Sequence, residues 1–231
     1  MARPEWEIEK REFLKRMDVS ESDFVRELHL PDFRAVRRIV PLRFLRSIES
    51  LIPLTHEMLF ALVSKMRTQG GQHPFRNARL QICRIDPNHV KIGQRFAYRE
   101  NYQMLLEEVP GLFGKFAIAS GLNDLGAYFA FGADEDGLPA LACYLPPLVE
   151  QHGGDLVVMD GIHRNFLTKQ LGATINTILI TGVAVPFPCG IRPWSELRVI
   201  GLCDKPKDIR ERYFDLDQLL FRDLKFLGID G

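Results

Sequence analysis

The feature that most constrains the fold of this chain is a short apolar run that stops at an Asp-Gly pair and continues at once as a helix-like pattern. The run covers residues 156–159, Asp160 and Gly161 follow it, and the helical pattern closes at Gly172. This order predicts a strand, a tight turn and a helix. The first amides of a helix have no acceptor within it, and the helix dipole is positive there. The turn is therefore a candidate site for an anion such as phosphate.

The bulk composition predicts a globular protein with a sizeable core. The chain has 231 residues, of which 46% are hydrophobic and 26% are charged, as expected for one large domain or one domain with an extension. Lys and Arg together number 30, and so do Asp and Glu. Global charge therefore gives no attraction to nucleic acid or to a membrane surface.

A cluster of five arginines lies within residues 34–46: Arg34, Arg37, Arg38, Arg43 and Arg46. The favoured interpretation is a solvated helical face. The alternative is a basic surface for nucleic acid or an acidic partner, which makes nucleic acid a less favoured partner.

The cysteines and the first residues predict a cellular location. The chain has four cysteines and no Cys-x-x-Cys spacing, so a zinc or redox site is not indicated. Residues 1–7 are charged and have no apolar signal core. No run approaches the roughly 18–20 apolar residues that span a bilayer. We expect a cytoplasmic protein with no membrane contact.

Both ends of the chain are predicted to be helical. Residues 1–70 show patchy amphipathic segments, one of them over residues 42–51. Residues 206–227 form a charged amphipathic tail. Its apolar stripe could serve a homodimer as well as an intramolecular contact.

The middle of the chain is predicted to contain a sheet. Residues 79–85 alternate between apolar and polar, which indicates a strand with one wet face. Gly153-Gly154 indicates a hairpin that leads into the run before Asp160. Residues 175–185 are long and rich in β-branched side chains, which is typical of a buried strand.

The stretch that begins at Pro146-Pro147, passes through the Asp-Gly-Ile-His-Arg sequence of residues 160–164 and ends in the strand after Leu171-Gly172-Ala173 resembles the ParB/sulfiredoxin-like fold. Members show a proline before a strand, a glycine-containing turn, a strand that ends in Gly-x-(His/Arg)-Arg, a helix and a closing strand. The resemblance covers about residues 79–185. It implies a small mixed sheet of this type. Together with the helical patterns at both ends, which lie outside the resemblance, we expect an α/β (mixed α+β) protein with a helical N-terminal extension and a C-terminal helix.

The sequence patterns and the resemblance together predict three regions, and the resemblance implies a ligand. The regions are a helical N-terminal extension (residues 1–75), a nucleotide-binding domain (76–205) and a C-terminal amphipathic helical tail (206–231). Family members use the turn to bind nucleotide phosphates, and the Asp-Gly-x-His-Arg form is closest to the free-serine kinase branch, which uses ADP or ATP. The implied ligands are Mg²⁺ and a nucleoside di- or triphosphate.

By that likeness, Asp160 would hold metal or phosphate, while His163 and Arg164 would contact phosphate oxygens. Asp160 and His163 are also the catalytic candidates within the turn, and His163 is favoured as a phosphate donor over a general base. The implied phosphate-binding residues are Asp160, Gly161, Ile162, His163, Arg164 and Asn165.

This chain departs from the pattern of two branches of the family, and these differences reduce the number of activities that the resemblance implies. Sulfiredoxins have a nucleophilic cysteine where this chain has Ile162, so sulfiredoxin chemistry is not expected. ParB proteins carry a helix-turn-helix domain after the nucleotide fold, whereas only about 45 residues follow Val185 here.

The kinase branch carries a catalytic glutamate shortly after the first strand. Gln94 stands at the comparable place and cannot accept a proton, so Glu100 is the candidate base. Arg192 and Trp194 follow the last core strand and are candidates for binding the acceptor.

Structural interpretations of these residues stay open. Asp160 could cap the helix, Arg164 could pair with Glu150 or Asp155, and Trp194 could pack in the core.

Three hypotheses about function follow from the sequence. The first is an ATP- or ADP-dependent kinase that phosphorylates a small hydroxyl-bearing acceptor. The second is a non-catalytic, nucleotide-gated module that binds nucleic acid or protein, and the third is a scaffold with a decayed pocket. The sequence leaves open whether the protein is an enzyme.

Overall fold

The structure is a computed structural model that describes residues 8–27, 31–103, 105–106 and 126–222. Among these residues the helices are α1 (Lys10–Met17), α2 (Glu21–Glu27), α3 (His56–Ser64), α4 (Arg99–Gln103), α5 (Ile162–Gln170) and α6 (Ile209–Arg212). The strands are β1 (Ile8–Glu9), β2 (Arg38–Ile39), β3 (Leu45–Pro53), β4 (Arg79–Ile85), β5 (Val90–Ile92), β6 (Phe96–Tyr98), β7 (Tyr128–Asp134), β8 (Pro139–Tyr144), β9 (Leu148–His152), β10 (Asp155–Asp160), β11 (Ile175–Thr181) and β12 (Arg198–Ile200).

The chain is a mixed α+β protein that divides into two compact units. The first unit contains the described residues of Met1–Lys65 and Gly126–Leu145, and the second contains those of Met66–Leu125 and Pro146–Asp223. No helix within the described ranges is long and apolar enough to cross a membrane.

The first unit is built on a five-stranded sheet in the order β1-β2-β8-β7-β3. Its core includes four phenylalanines, in which the centroids of neighbouring rings lie 4.6 to 6.4 Å apart: Phe13, Phe24, Phe33 and Phe129. Strands β7 and β8 form an antiparallel hairpin that turns at Asp134. The carboxylate of Asp134 accepts the backbone N–H groups of Asp136 and Leu138, each at 2.9 Å, so it stabilises the turn.

The helix predicted over residues 42–51 is wrong, because most of this segment is strand β3. Leu45, Ile48 and Leu51 are three residues apart, which resembles helical spacing. In β3 they pair with Asp134, Gly132 and Ala130, which are two residues apart, and the register shifts twice along the way. Each shift is a bulge that adds one residue to β3 between paired positions. The usual strand spacing of two residues therefore becomes three, which resembles the spacing of a helix. The N-terminal region is therefore mixed rather than helical.

The helical face predicted for the five arginines is also wrong. Arg38 lies in β2, Arg43 in a 3-10 turn and Arg46 in β3. The side chain of Arg38 is buried, and its Nη1 lies 3.1 Å from Asp134 and 2.9 Å from Asp136. Because this guanidinium is already paired with two carboxylates, it adds little to a basic surface.

The second unit is built on a mixed sheet in the order β4-β11-β9-β10-β5. The predicted strand over residues 79–85 and the hairpin at Gly153-Gly154 are confirmed as β4 and β9–β10. The buried strand predicted over residues 175–185 is present as β11, but it ends at Thr181, before Gly182 with its positive φ of 72°. Strand β5 runs parallel to β10, and β9 runs parallel to β11. Ile162 packs in the core that these strands share with Phe214.

The predicted C-terminal helix is wrong over its described part. Only Ile209–Arg212 is α-helical, and Asp215 then adopts a left-handed conformation with a φ of 45°. The backbone N–H of Phe214 donates to Gly93 O at 2.9 Å. In a continuous helix this backbone N–H would bond to a carbonyl within the helix. Here it bonds to another part of the unit instead. Residues 223–231 of the predicted tail lie outside the described residues.

Candidate functional site

The predicted strand, turn and helix are confirmed around Gly161. Strand β10 ends at Asp160 and helix α5 begins at Ile162. Gly161 between them has a φ of 85°, in the left-handed region that favours glycine. A Cβ atom at this position would also come within 2.8 Å of the Pro147 side chain. Conformation and space therefore both require glycine here.

The turn lies at the carboxyl ends of two neighbouring parallel strands. Val158 of β10 pairs with Ile92 of β5, so residues 93–95 and residues 160–161 follow the sheet at the same edge. In open α/β sheets, ligands bind outside the carboxyl ends of the strands. The structure therefore puts Asp160 at an edge where ligands commonly bind.

Asp160 and Arg164 form an ion pair across the first turn of α5. One Nη2 and one Oδ2 atom lie 3.5 Å apart, a long contact, and the side chains are 15% exposed for Asp160 and 5% for Arg164. Burial raises the pKa of Asp160, while the Arg164 charge and the Gly161 N–H act in the opposite direction. The pair is therefore mostly desolvated but loosely joined.

The alternative partners expected for Arg164 are wrong. Asp155 pairs with Lys91 at 2.7 Å. Glu150 is fully buried and receives two hydrogen bonds from Arg222, from Nε at 3.1 Å and from Nη2 at 2.8 Å. The His152 Nε2 atom lies 2.7 Å from the same carboxylate.

His163 is buried and its ring is held by two donors. Its Nε2 atom accepts the backbone N–H of Tyr98 at 2.9 Å and lies 3.3 Å from the amide nitrogen of Asn101. A backbone N–H and an amide NH₂ can only donate, so Nε2 carries a lone pair and the ring proton is on Nδ1. His163 therefore offers a neutral N–H donor, and this geometry favours a donor role over a general-base role.

Ile162 and Asn165 contribute differently from their neighbours. The Ile162 side chain lies in the core, so only its backbone amide could reach a ligand. Asn165 is fully buried, and its Nδ2 donates to Gly161 O at 3.1 Å. Its Oδ1 atom has no hydrogen-bond partner among the described residues. Such an atom costs free energy unless water or a ligand donates to it.

The candidate base Glu100 lies near the turn but does not contact His163 in any hydrogen bond of the described residues. Glu100 is exposed, and its Oε2 accepts the backbone N–H of Leu202 at 2.8 Å. The next residue, Asn101, reaches His163 instead.

The two acceptor candidates have separate surroundings. The Trp194 Nε1 atom donates to Pro87 O at 2.8 Å, and its ring packs 6.0 Å from Phe166, so its contacts are those of a packing residue. The Arg192 Nη2 atom lies 3.0 Å from Asp215, which makes an exposed ion pair.

Tyr98 and Tyr102, which the sequence interpretation did not assign to the site, flank His163. Each ring centroid lies 5.7 Å from the imidazole centroid. Both hydroxyl oxygens are buried and have no hydrogen-bond partner in the described part of the chain. Burial raises the pKa of each phenol. No local sequence pattern links these tyrosines to the turn, so only the fold could reveal them.

The metal expectation concerns Asp160 alone. Among the described residues, no group of three or more His, Cys, Asp or Glu side chains could hold a metal ion. A single carboxylate fits Mg²⁺ only when phosphate oxygens and water complete the coordination. The donor set therefore suits a metal that arrives with a phosphate ligand.

No protein-family model, curated protein or solved structure matches the chain.

Proposed function

We propose that this protein binds the phosphates of a nucleotide at residues 160–165, together with Mg²⁺. The observation that carries the proposal is the loose Asp160–Arg164 pair at the start of α5, with a separation of 3.5 Å. A metal–phosphate unit is itself a cation and an anion. It can insert between a carboxylate and a guanidinium without leaving either charge unpaired in a mostly buried place.

Each group of the turn has a defined part in this binding. Asp160 would hold the metal, whose charge neutralises phosphate oxygens when it is bound. The guanidinium of Arg164 would donate to the phosphate, and the Nδ1–H of His163 is suited to donate a neutral hydrogen bond. The backbone amides that open α5 add the positive end of a helix dipole.

The favoured reaction is phosphoryl transfer to a small hydroxyl-bearing acceptor. Glu100 would take the proton from the acceptor hydroxyl as its oxygen bonds to the terminal phosphorus. The bond from phosphorus to the bridging oxygen breaks, and the nucleotide leaves one phosphate shorter. Arg164 would stabilise the charge that develops on the phosphoryl oxygens.

The alternative is a nucleotide-gated module that binds nucleic acid or protein without turnover. It would depend on the arginines of residues 34–46. One of them, Arg38, is already paired with two carboxylates and adds little to a basic surface, so this alternative is less favoured than the first proposal.

A thermal-shift screen with ATP, ADP, GTP and CTP, each with and without Mg²⁺, tests binding. A nucleotide at 100 times its Kd should stabilise the protein by about 2.7 kcal/mol. Arg164→Gln should abolish this shift, whereas the matched exposed variant Arg76→Gln should keep it. No shift with any nucleotide would overturn the proposal.

A turnover assay separates the reaction from binding alone. With serine and other small alcohols as acceptors, we expect nucleotide consumption in the wild type. Glu100→Gln should lower turnover while the nucleotide Kd stays unchanged. Binding without turnover, together with salt-sensitive retention of nucleic acid, would select the alternative.

A further inference from the structure

Two hydrogen-bond donors from outside α5 converge on one nitrogen atom of His163. The backbone N–H of Tyr98, the last residue of β6, donates to Nε2 at 2.9 Å. The side-chain amide nitrogen of Asn101, in α4, lies 3.3 Å from the same atom. The imidazole is also buried, since His163 is 3% exposed. Protonation of Nε2 would therefore break both bonds and place a positive charge in a desolvated position.

Helix α4 is held in place by contacts other than that of Asn101. The Tyr102 ring stacks on Phe166 of α5, with centroids 5.8 Å apart and an interplanar angle of 26°. The carboxylate of Glu100 accepts the backbone N–H of Leu202 at 2.8 Å. Because the residues on both sides of Asn101 are anchored, its amide is held against the imidazole, and we expect α4 to keep its place when Asn101 is substituted.

The titratable groups around this imidazole give little support to a positive charge on it. The rings of Tyr98 and Tyr102 lie beside it, and burial raises the pKa of both phenols, so they are neutral near neutral pH. The Glu100 carboxylate is exposed to solvent, which screens its charge. Asp160 lies 3.5 Å from Arg164, the next residue of α5, whose own positive charge disfavours a second one nearby. The surroundings therefore favour the uncharged ring.

We propose that Asn101 is a positioning residue that, together with the Tyr98 amide, keeps His163 as a neutral Nδ1–H donor towards the phosphate. The inference rests on the proposed binding of a nucleotide at residues 160–165. It means that Arg164 supplies the positive side-chain charge of the turn. The hydrogen bond from His163 then stays the same near about pH 6.5, where an ordinary histidine changes its charge.

Nitrogen NMR of the full chain, labelled at histidine, tests the position of the ring proton. A His163→Gln variant identifies the His163 signals among those of the six histidines. In the wild type we expect a proton on Nδ1 and none on Nε2. Asn101→Asp has nearly the same size but replaces the donor by an acceptor, so Nε2 should carry a proton in this variant. A spectrum of Asn101→Asp that matches the wild type would overturn the role of Asn101.

Isothermal titration of ADP with Mg²⁺ gives the functional readout. In Asn101→Asp at about pH 8 the neutral ring carries its proton on Nε2, so Nδ1 presents a lone pair to the phosphate. The variant Kd should then exceed the wild-type Kd by about 10-fold or more, because a hydrogen bond to a charged group is lost.

Lowering the pH should restore part of this affinity. At about pH 5.5 the ring of Asn101→Asp becomes an imidazolium, whose Nδ1 donates again, so the ratio of the two Kd values should shrink about 3-fold or more. Taking the ratio at each pH cancels the ionisation of the nucleotide. A merely structural role of Asn101 would give a ratio that does not change with pH, and this result would overturn the proposal.

Asn77→Asp is the matched control, because it makes the same chemical change at an exposed position. It should keep the wild-type spectrum and a Kd ratio of about 1 at each pH. Equal changes in Asn77→Asp and Asn101→Asp would mean that net charge is the cause, which would overturn the role of Asn101.

The failure of this inference can be told apart from the failure of the proposed function. If no nucleotide binds to the wild type, the proposed function and the donor role of His163 towards phosphate are both overturned. If a nucleotide binds and Arg164→Gln abolishes the binding, while Asn101→Asp matches the wild type in spectrum and Kd, only the role of Asn101 is wrong.

Discussion

Two buried arginine–carboxylate pairs in the second unit differ in how close the charged atoms lie and in how exposed the side chains are. Arg222 gives two hydrogen bonds to Glu150 and further bonds to the carbonyl oxygens of Val185, Pro186 and Leu220, and both side chains are at most 1% exposed. The Nη2 atom of Arg164 lies 3.5 Å from Asp160 Oδ2, and the side chains are 5% and 15% exposed.

This difference separates a structural pair from a candidate binding pair. A fully bonded buried pair has no donor left for a ligand, and breaking it is costly. A loosely joined pair at the edge of a sheet can exchange its partner. The comparison teaches that burial of a charge does not by itself mark a functional site, because a closely paired buried charge can serve stability alone.

The largest expected effect is on the fully bonded pair. Arg222→Met leaves the buried Glu150 carboxylate without its main partner, so the free energy of unfolding should fall by about 3–5 kcal/mol. Urea unfolding measures this loss. The double variant Glu150→Leu/Arg222→Met should recover much of it, and a single-variant loss below about 1 kcal/mol would contradict the structural role.

The turn that carries the loose pair should be the next most sensitive place. Gly161→Ala puts a side chain at a φ of 85° and against Pro147, so we expect a loss of about 1–3 kcal/mol. A Cβ at Gly154 would meet nothing within 4 Å, which makes Gly154→Ala the control. Equal stability of the two variants would show that the turn is not constrained as described.

Replacing the arginine of the Asp160–Arg164 pair by methionine should lower the free energy of unfolding less than Arg222→Met does, but it should impair nucleotide binding more. Arg164→Met should lower the free energy of unfolding by only about 1–2 kcal/mol, because Asp160 retains some solvent contact. It should also remove the nucleotide-dependent thermal shift. Urea unfolding and the shift assay run together on Arg164→Met and Arg222→Met test the comparison, which fails if both variants lose stability equally.

The smallest effect is a pH dependence that comes from Asp160. Burial raises its pKa above the ordinary 3.8, so the folded protein retains this proton over a window in which the unfolded chain has lost it. The resulting stabilisation is present at low pH and is lost as the pH rises from 3.8 through the raised pKa. The stability of the wild type relative to Asp160→Asn should therefore decline with rising pH. An opposite slope would mean that the charged carboxylate is favoured in the fold.

Part of this molecule could be predicted from short stretches of sequence. The strand, the Asp-Gly turn and the helix around Gly161 were predictable because a change of hydrophobic period and one glycine specify them locally. Strand β3 was not, because two bulges gave Leu45, Ile48 and Leu51 a helix-like spacing. The role of the chain as a nucleotide-binding protein stays a proposal.

The sequence alone determined which residues gather at the turn, since Asp160, His163 and Arg164 are near neighbours on one strand end and one helix. Only the tertiary structure decided their states. The amide of Tyr98 fixes the His163 tautomer, and Arg222 takes the Glu150 carboxylate that Arg164 could have paired with. The physical reason is that hydrogen-bond partners distant in sequence are selected by the packing of the whole unit, which local patterns do not encode.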